Sequence, residues 1–553
     1  MVAGSVMYVW PARPPAVGRR RPLIAASGAA LVLVVAVVAG LVIGQPGGAT
    51  QATPVGAASS SGAVTILGAE AASLDPAVQS DAGSAQVVSQ LFESLTAIDA
   101  AGHVQPALAD GWQVSADRRE IVFHLRPGLA FSDGSPLSAA DVVSSWLRVL
   151  DPAHPSQLAS LLDDVVGATA YEEGNGQRSA VGLSAVGTDQ VAVDLAKPAS
   201  DFPAIVSSPT LAVVPPQIDT DSAILSPGTF VGSGAYVLTG LTDTETTLTA
   251  NPRYWAGAPS IKTVHLLSSI GGQSPVSEFQ AGDLDYTPIS LYDASWIAYD
   301  KTLGPDLRIE PSPSVEYYGF DTTRPPFNNV HVRLAFQMGI DWRRIVALQG
   351  DPLMQPATGM VPPGVPGHSA TDFGPVFNLA TAKAELAAAG YPNGAGFPKI
   401  ILITAGAPLD QAIVSQLHDN LGIDIDYEAL DWTSYNERLL TDPPAFWEMD
   451  WVADYPGAND FLGLLLGTGK TNNFGRWSSN QFDAAVDQAL AASNPVAVQQ
   501  AFDQAQAIVL DQAPVIPVDY GAGYSLSNPR LLGAIPNGQG LIRYAGLAWA
   551  SGS

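Results

Sequence analysis

The sequence predicts an α/β protein folded into several lobes, and three observations carry that prediction. The chain of 553 residues is several times the length that one hydrophobic core sustains, so it divides around at least two. Hydrophobic residues make up 47% and charged ones 14%, enough apolar surface to offset the ordering entropy of a compact fold. Segments of strand period and segments of helix period follow one another along the chain after residue 62, with no repeat of 20 to 50 residues among them.

The chain opens with Arg13, Arg19, Arg20 and Arg21 and no acid, a basic N-terminus over residues 1–22. Leu23 to Gly44 is uncharged and apolar, long enough to cross the roughly 30 Å hydrocarbon layer as a helix. The arginines hold the start of the chain in the cytoplasm and send the rest outward. The alternative is a cleaved signal peptide, whose apolar region is usually about 7 to 15 residues long and ends at an A-x-A site. This stretch is longer, and Gly47 to Ala52 offers no clean A-x-A. Either way the body is extracytoplasmic, and contact with the membrane is through this segment alone. Residues 45–62 are rich in Gly, Ala, Ser, Thr and Pro and read as a flexible linker.

The body then starts near Ala63 with a strand through Val64, Ile66 and Leu67, broken by a turn at Leu74-Asp75-Pro76. Val87 to Leu95 reads as a short amphipathic helix. Ile121, Phe123 and Leu125 alternate as in a strand that Pro127-Gly128 ends. Ser138 and Asp141 have capping-box form and open a helix whose apolar face includes Val142, Val143, Trp146 and Leu150. Further strands are expected at Gln190 to Leu195, Thr246 to Ala250 and Ile400 to Thr404, and helices at Thr381 to Ala389 and Val496 to Asp511.

Charge and composition exclude several functions. Beyond residue 21 the chain carries 21 basic against 52 acidic residues, a formal charge of −31, which repels phosphate backbones and excludes nucleic acid as a partner. Cysteine is absent, and with it thiol catalysis, disulfides, thiolate metal sites and a lipid-bearing cysteine. The seven histidines are far apart and show no ligand spacing. Gly467-Thr468-Gly469-Lys470-Thr471 ends like a phosphate-binding loop, yet Leu464 stands where the motif needs its first glycine, so it reads as a turn. Gly232-Ser233-Gly234 has Val237 in place of a third glycine and reads as a tight turn. No G-x-S-x-G elbow is present. No catalytic residue, metal site or cofactor is expected.

The richest segment is Asp450-Trp451-Val452-Ala453-Asp454-Tyr455-Pro456. Two aromatics flank a carboxylate, a composition that stacks on a ligand and pairs with its cation. The competing reading is a strand end with two core aromatics and a solvated Asp.

This segment, with others in the same order, resembles family 5 of the extracellular solute-binding proteins, the peptide and nickel binders of ATP-driven importers. Ser73-Leu74-Asp75-Pro76 and Leu91-Phe92-Glu93-Ser94-Leu95 come first. Phe123 to Gly128 followed by Phe131 to Leu137 is the most specific signature. Gly232 to Tyr236, Asn251 to Trp255, Pro326 to Arg333, Ala388 to Pro392 and Pro514 to Pro517 continue the order. The resemblance implies a two-lobed type II periplasmic-binding-protein fold with an additional inserted domain, closing over ligand. It places lobe I at 63–94, 184–287 and 514–553, the inserted domain at 95–183 and lobe II at 288–513.

By the same resemblance the chain is a monomer that binds small peptides in the interdomain cleft and delivers them to ABC permease subunits. A receptor for another solute (a sugar or metal chelate) and an envelope interaction protein with the same fold are the alternatives. Asp454 would meet the ligand's α-ammonium. Trp451, Val452 and Tyr455 would line the same wall and offer backbone hydrogen bonds in the manner of strand addition. Tyr520 faces either the cleft or the core. Glu448 and Asp450 depart from the pattern, because some peptide binders carry a basic residue there for the ligand's carboxylate.

Overall fold

The computed structural model describes residues 62–551 apart from 221, 350–353 and 407–408. The basic N-terminus, the apolar stretch at 23–44 and the linker up to residue 61 lie outside the described residues. Among the described residues no helix is long and apolar enough to cross a membrane.

The principal strands are β1 (Ala63–Leu67), β2 (Ala109–Val114), β3 (Glu120–Leu125), β4 (Leu183–Val186), β5 (Gln190–Asp194), β6 (Tyr236–Leu241), β7 (Glu245–Ala250), β8 (Thr263–Leu267) and β9 (Tyr286–Pro288). They continue with β10 (Leu307–Phe320), β11 (Ile401–Thr404), β12 (Asp426–Ala429), β13 (Phe446–Val452) and β14 (Val515–Ser527). One large sheet runs β12-β11-β13-β10-β14-β9-β1-β8-β7-β6, and Gln355–Pro356 adds a short eleventh strand against β14. A separate four-stranded sheet runs β2-β3-β5-β4.

The large sheet has two halves joined by two long strands. Leu307 to Pro311 of β10 pairs with Ala522 to Leu526 of β14 in one half, and Val315 to Gly319 pairs with Val515 to Tyr520 in the other. Between them the register shifts, a bulge that bends the pair and raises its twist. Gly521 lies opposite this bulge, where a Cβ would come within 2.5 Å of the Ser314 hydroxyl. The two halves therefore meet at a bend that carries few chain crossings.

Separate cores follow from this division. Val64, Ile66, Val88, Leu91, Tyr236 and Leu248 pack in the first half together with C-terminal Tyr544 and Leu547. The four-stranded sheet packs Phe123 against Trp146 and Phe202, edge to face in two of the three pairings. Trp146 is fully buried, and its indole N–H donates to Leu211 O at 2.9 Å, which removes the cost of burying that donor. The helix that presents it, Ala139–Val149, opens as expected: the Asp141 carboxylate accepts from both the backbone N and the hydroxyl of Ser138. In the second half, Phe320, Phe336 and Phe446 fill one side of the sheet, and Tyr317, Trp447 and Phe474 fill the other.

Two local expectations shift. The helix read from Val87 to Leu95 spans Ala82–Leu91, because the Asp81 carboxylate caps Ser84 N at 2.8 Å and starts it earlier, while Phe92 is already extended. Gly232 and Gly234 sit in a bend pressed against the end of that helix. A Cβ on either would lie 2.3 Å from a carbonyl oxygen, of Leu91 and Gln90 respectively, so close backbone approach requires the glycines. The strands at β1, β3, β5, β7 and β11 and the helices at Leu379–Ala388 and Pro495–Gln512 stand where the periodicity puts them, to within two residues at either end.

Candidate functional site

The site grows from an unequal pairing of β13. On one side β10 pairs with β13 from Phe446 to Val452. On the other side β11 pairs only with Phe446 and Trp447. β11 ends at Thr404, which still pairs with Ala429 of β12: its hydroxyl donates to Asp410 at 2.6 Å and accepts from Gly406 N, and the chain turns away at Gly406 with φ +98. Among the described residues the β13 edge from Met449 to Val452 thus has no strand beside it. Such an edge offers a ready row of N–H and C=O groups to an extended chain.

Asp454 stands at the end of that edge. Ala453 N donates to Pro313 O at 2.9 Å and fixes the exit of β13, and Gln539 from the C-terminal segment donates to Asp454 O at 3.2 Å. The Asp454 side chain is half-buried, and among the described residues its carboxylate receives no hydrogen bond and joins no ion pair. Burial pushes this carboxyl up to about 7. Behind it Asp460 is fully buried and accepts from the Trp451 indole at 3.0 Å and from Asp454 N at 3.2 Å, which sets the Trp451 ring beside the edge. Burial first, then the Asp454 charge, keeps Asp460 well above the usual carboxylate range. Val452 is exposed.

The two tyrosines expected on the ligand wall are placed differently. Tyr455 is fully buried, and its hydroxyl donates to Asp201 at 2.6 Å and accepts from Asn459 at 3.0 Å. That bond ties the loop after β13 to the segment following β5, and Tyr455 packs within the core of the four-stranded sheet. Tyr520 is 4% exposed, and its hydroxyl accepts from Thr358 N and donates to Gly359 O. Both hydroxyls are engaged within the protein.

The same strands bring together acids that are distant in sequence. Register sets Glu316 of β10 opposite Asp450 of β13 on one side and opposite Asp519 of β14 on the other, so the three share a face. Glu448, two residues before Asp450, lies on that face too. Burial, reinforced by Asp450, pushes Glu448 up to about 8. Burial pushes Asp450 up to about 6 against a hydrogen bond from Ser314, although Asp450 keeps an open path to solvent. Glu316 is raised well above the usual range by burial and by Asp519, Glu448 and Asp450. Sequence reading noticed Glu448 and Asp450 but missed Glu316 and Asp519. The available signal was a single acid between apolar neighbours in each of two short runs, Val315-Glu316-Tyr317 and Val518-Asp519-Tyr520.

Gly467 to Lys470 is a turn, and Lys470 Nζ reaches Asp163 of the inserted region at 2.8 Å. Among the described residues no group of three His, Asp or Glu side chains is arranged to hold a metal ion.

Residues 103–473 match the family model described as bacterial extracellular solute-binding proteins, family 5 middle. The chain is 31% identical over 83% of its length to the probable deoxycholate-binding periplasmic protein YgiS of Escherichia coli, covering 89% of that protein. It is 27% identical to the oligopeptide-binding protein OppA of Bacillus subtilis, over 90% of this chain and 95% of the relative. The structure of the Escherichia coli murein tripeptide binding protein MppA superposes with a TM-score of 0.75 at 27% identity, covering 89% of this chain and 99% of that one.

Proposed function

Because this chain belongs to family 5 of the bacterial extracellular solute-binding proteins, we propose that it captures a short extended peptide between its lobes and passes it to an ATP-driven import permease. The observation that carries this reading is the half-buried Asp454 carboxylate, without a partner among the described residues, at the end of the open β13 edge. The ligand's α-ammonium supplies the missing counter-charge at Asp454, and its backbone pairs along Met449 to Val452 beside the Trp451 ring. Relatives named for oligopeptides and for a murein tripeptide agree with that reading. A bile-acid anion is what the name of YgiS suggests, and the uncompensated carboxylates along this wall oppose it.

The segment at 23–44 holds the protein on the outer face of the cell membrane, with residues 45–62 as its tether. Binding and release occur without turnover. The test is mass spectrometry of whatever co-purifies with the full chain, followed by thermal unfolding with the recovered ligand. Peptides released unchanged, adding roughly 2.7 kcal/mol of stability at 100 times their Kd, support the reading. Recovery of a bile acid, or of peptide fragments generated by the pure protein, contradicts it.

A further inference from the structure

We propose that Glu316, Glu448 and Asp450 form a second cation site in this cleft, one that selects peptides with a lysine or arginine side chain at the second or third residue. The inference rests on the peptide reading and adds a substrate class to it.

The three carboxylates share one face of adjacent strands, and among the described residues none of them takes part in an ion pair. The charged groups that act most strongly on Glu316 are all acids: Asp519, Glu448, Asp450 and Asp410. Glu316 Oε1 is buried and, among the described residues, has no hydrogen-bond donor. An acceptor left in that condition forfeits the hydration it had in the unfolded chain, and a charged one loses more than a neutral one. Asp450 remains exposed, so the cluster has an entrance for a group from outside.

The position of the cluster follows from strand geometry. A peptide lying on the β13 edge alternates its side chains between the two faces of the sheet. One set falls beside Trp451, and the other falls over Asp450 and Glu316. Asp450 is four residues before Asp454, at most about 13 Å along an extended strand. With the α-ammonium at Asp454, the side-chain nitrogen of a lysine or arginine at the second or third residue reaches that distance. Neighbouring strands are about 4.8 Å apart, which suits an ammonium or guanidinium with several divergent donors. A bare metal ion needs converging oxygens, and the described carboxylates do not converge in that way.

Calorimetry with the full chain tests this. Alanine pentapeptides carrying one lysine, norleucine or glutamate at the second, third or fourth residue are titrated at pH 7.5 and low salt. Lysine at the second or third residue should bind about tenfold tighter than norleucine, and glutamate should bind more weakly than norleucine. In Glu316→Gln and in Asp450→Asn the lysine-to-norleucine ratio should fall to within about threefold. Asp450 is exposed, so its variant keeps the test valid if Glu316→Gln does not fold. Equal binding of lysine and norleucine at every position overturns the second site and leaves the peptide reading standing. Calcium alone binding and displacing the lysine peptide overturns it in favour of a metal. Failure of every peptide to bind overturns both readings.

Discussion

Two groups of acids in this molecule are treated in opposite ways. In the first lobe Glu93 is 4% exposed, and Arg543 reaches both of its oxygens, at 2.8 and 3.0 Å, while the Tyr254 hydroxyl also donates to it. Arg148 likewise grips both oxygens of Asp75 and one of Asp219. In the second lobe Glu316, Glu448 and Asp450 crowd one another with no counter-charge among the described residues, and Asp454 and Asp460 do the same one turn of chain later. The fold can build compensated acid pairs. Where it leaves carboxylates uncompensated, along an open strand edge, the reading proposed above has the compensation come from a ligand. This contrast separates structural charge from binding charge, a separation that burial alone does not make.

The comparison breaks first at the compensated pair. Replacing Arg543 by Ala leaves Glu93 buried without its counter-charge and should cost about 3 to 5 kcal/mol in chemical unfolding. Replacing Glu316 by Gln removes a repelled charge and should leave the ligand-free protein as stable or more stable. Equal losses in the two variants would erase the distinction.

The pH dependence is the next effect. Glu448, Asp454 and Asp450 titrate at about 8, 7 and 6 in the folded chain, above their ordinary values near 4. Between those limits the folded state holds more protons than the unfolded state, so stability falls as pH rises. The ligand-free melting temperature should therefore drop from pH 5 to pH 8. Glu448→Gln should flatten the upper end of that fall, and a bound cationic ligand should offset it. A melting temperature that rises over this window contradicts the assignment of these groups.

Much of the frame was legible in the sequence because it is written locally. The capping box at Ser138 and Asp141, the strand alternation at Ile121 to Leu125 and the long helix ending near Gln512 each depend on residues a few positions apart. The position of Trp451 and Asp454 at the open edge was also legible, through a contiguous motif, while their part in binding is the proposal above. The acidic face was not, because Glu316, Asp450 and Asp519 meet only through strand register across more than 60 residues. Nor was the burial of Tyr455, since its partner Asp201 lies 254 residues away. Composition shows two aromatics beside a carboxylate, and only packing decides that one lies beside the open edge while the other braces the core of the four-stranded sheet.

Two smaller effects sharpen the contrast between local and long-range determinants. Asp141→Ala removes the acceptor of the capping box and should cost about 1 kcal/mol by denaturant titration. Ala513 ends the helix Pro495–Gln512 in the left-handed region at φ 43, so Ala513→Gly should stabilise by up to about 1 kcal/mol. Neither change should move peptide affinity. A shift in affinity from either would mean that strain passes to the site through β10 and β14.

The central claim is that Asp454 is the partner of a ligand ammonium, and a double cycle of Asp454→Ala against N-acetylation of the peptide, measured by calorimetry, tests it most directly. Each change alone should weaken binding by about 2 to 5 kcal/mol, because each leaves the opposite charge enclosed and unpaired. Together they should cost little more than either one. If acetylation weakens binding to the Ala variant as much as it weakens binding to the unaltered protein, Asp454 does not hold the ammonium and the account of this cleft fails.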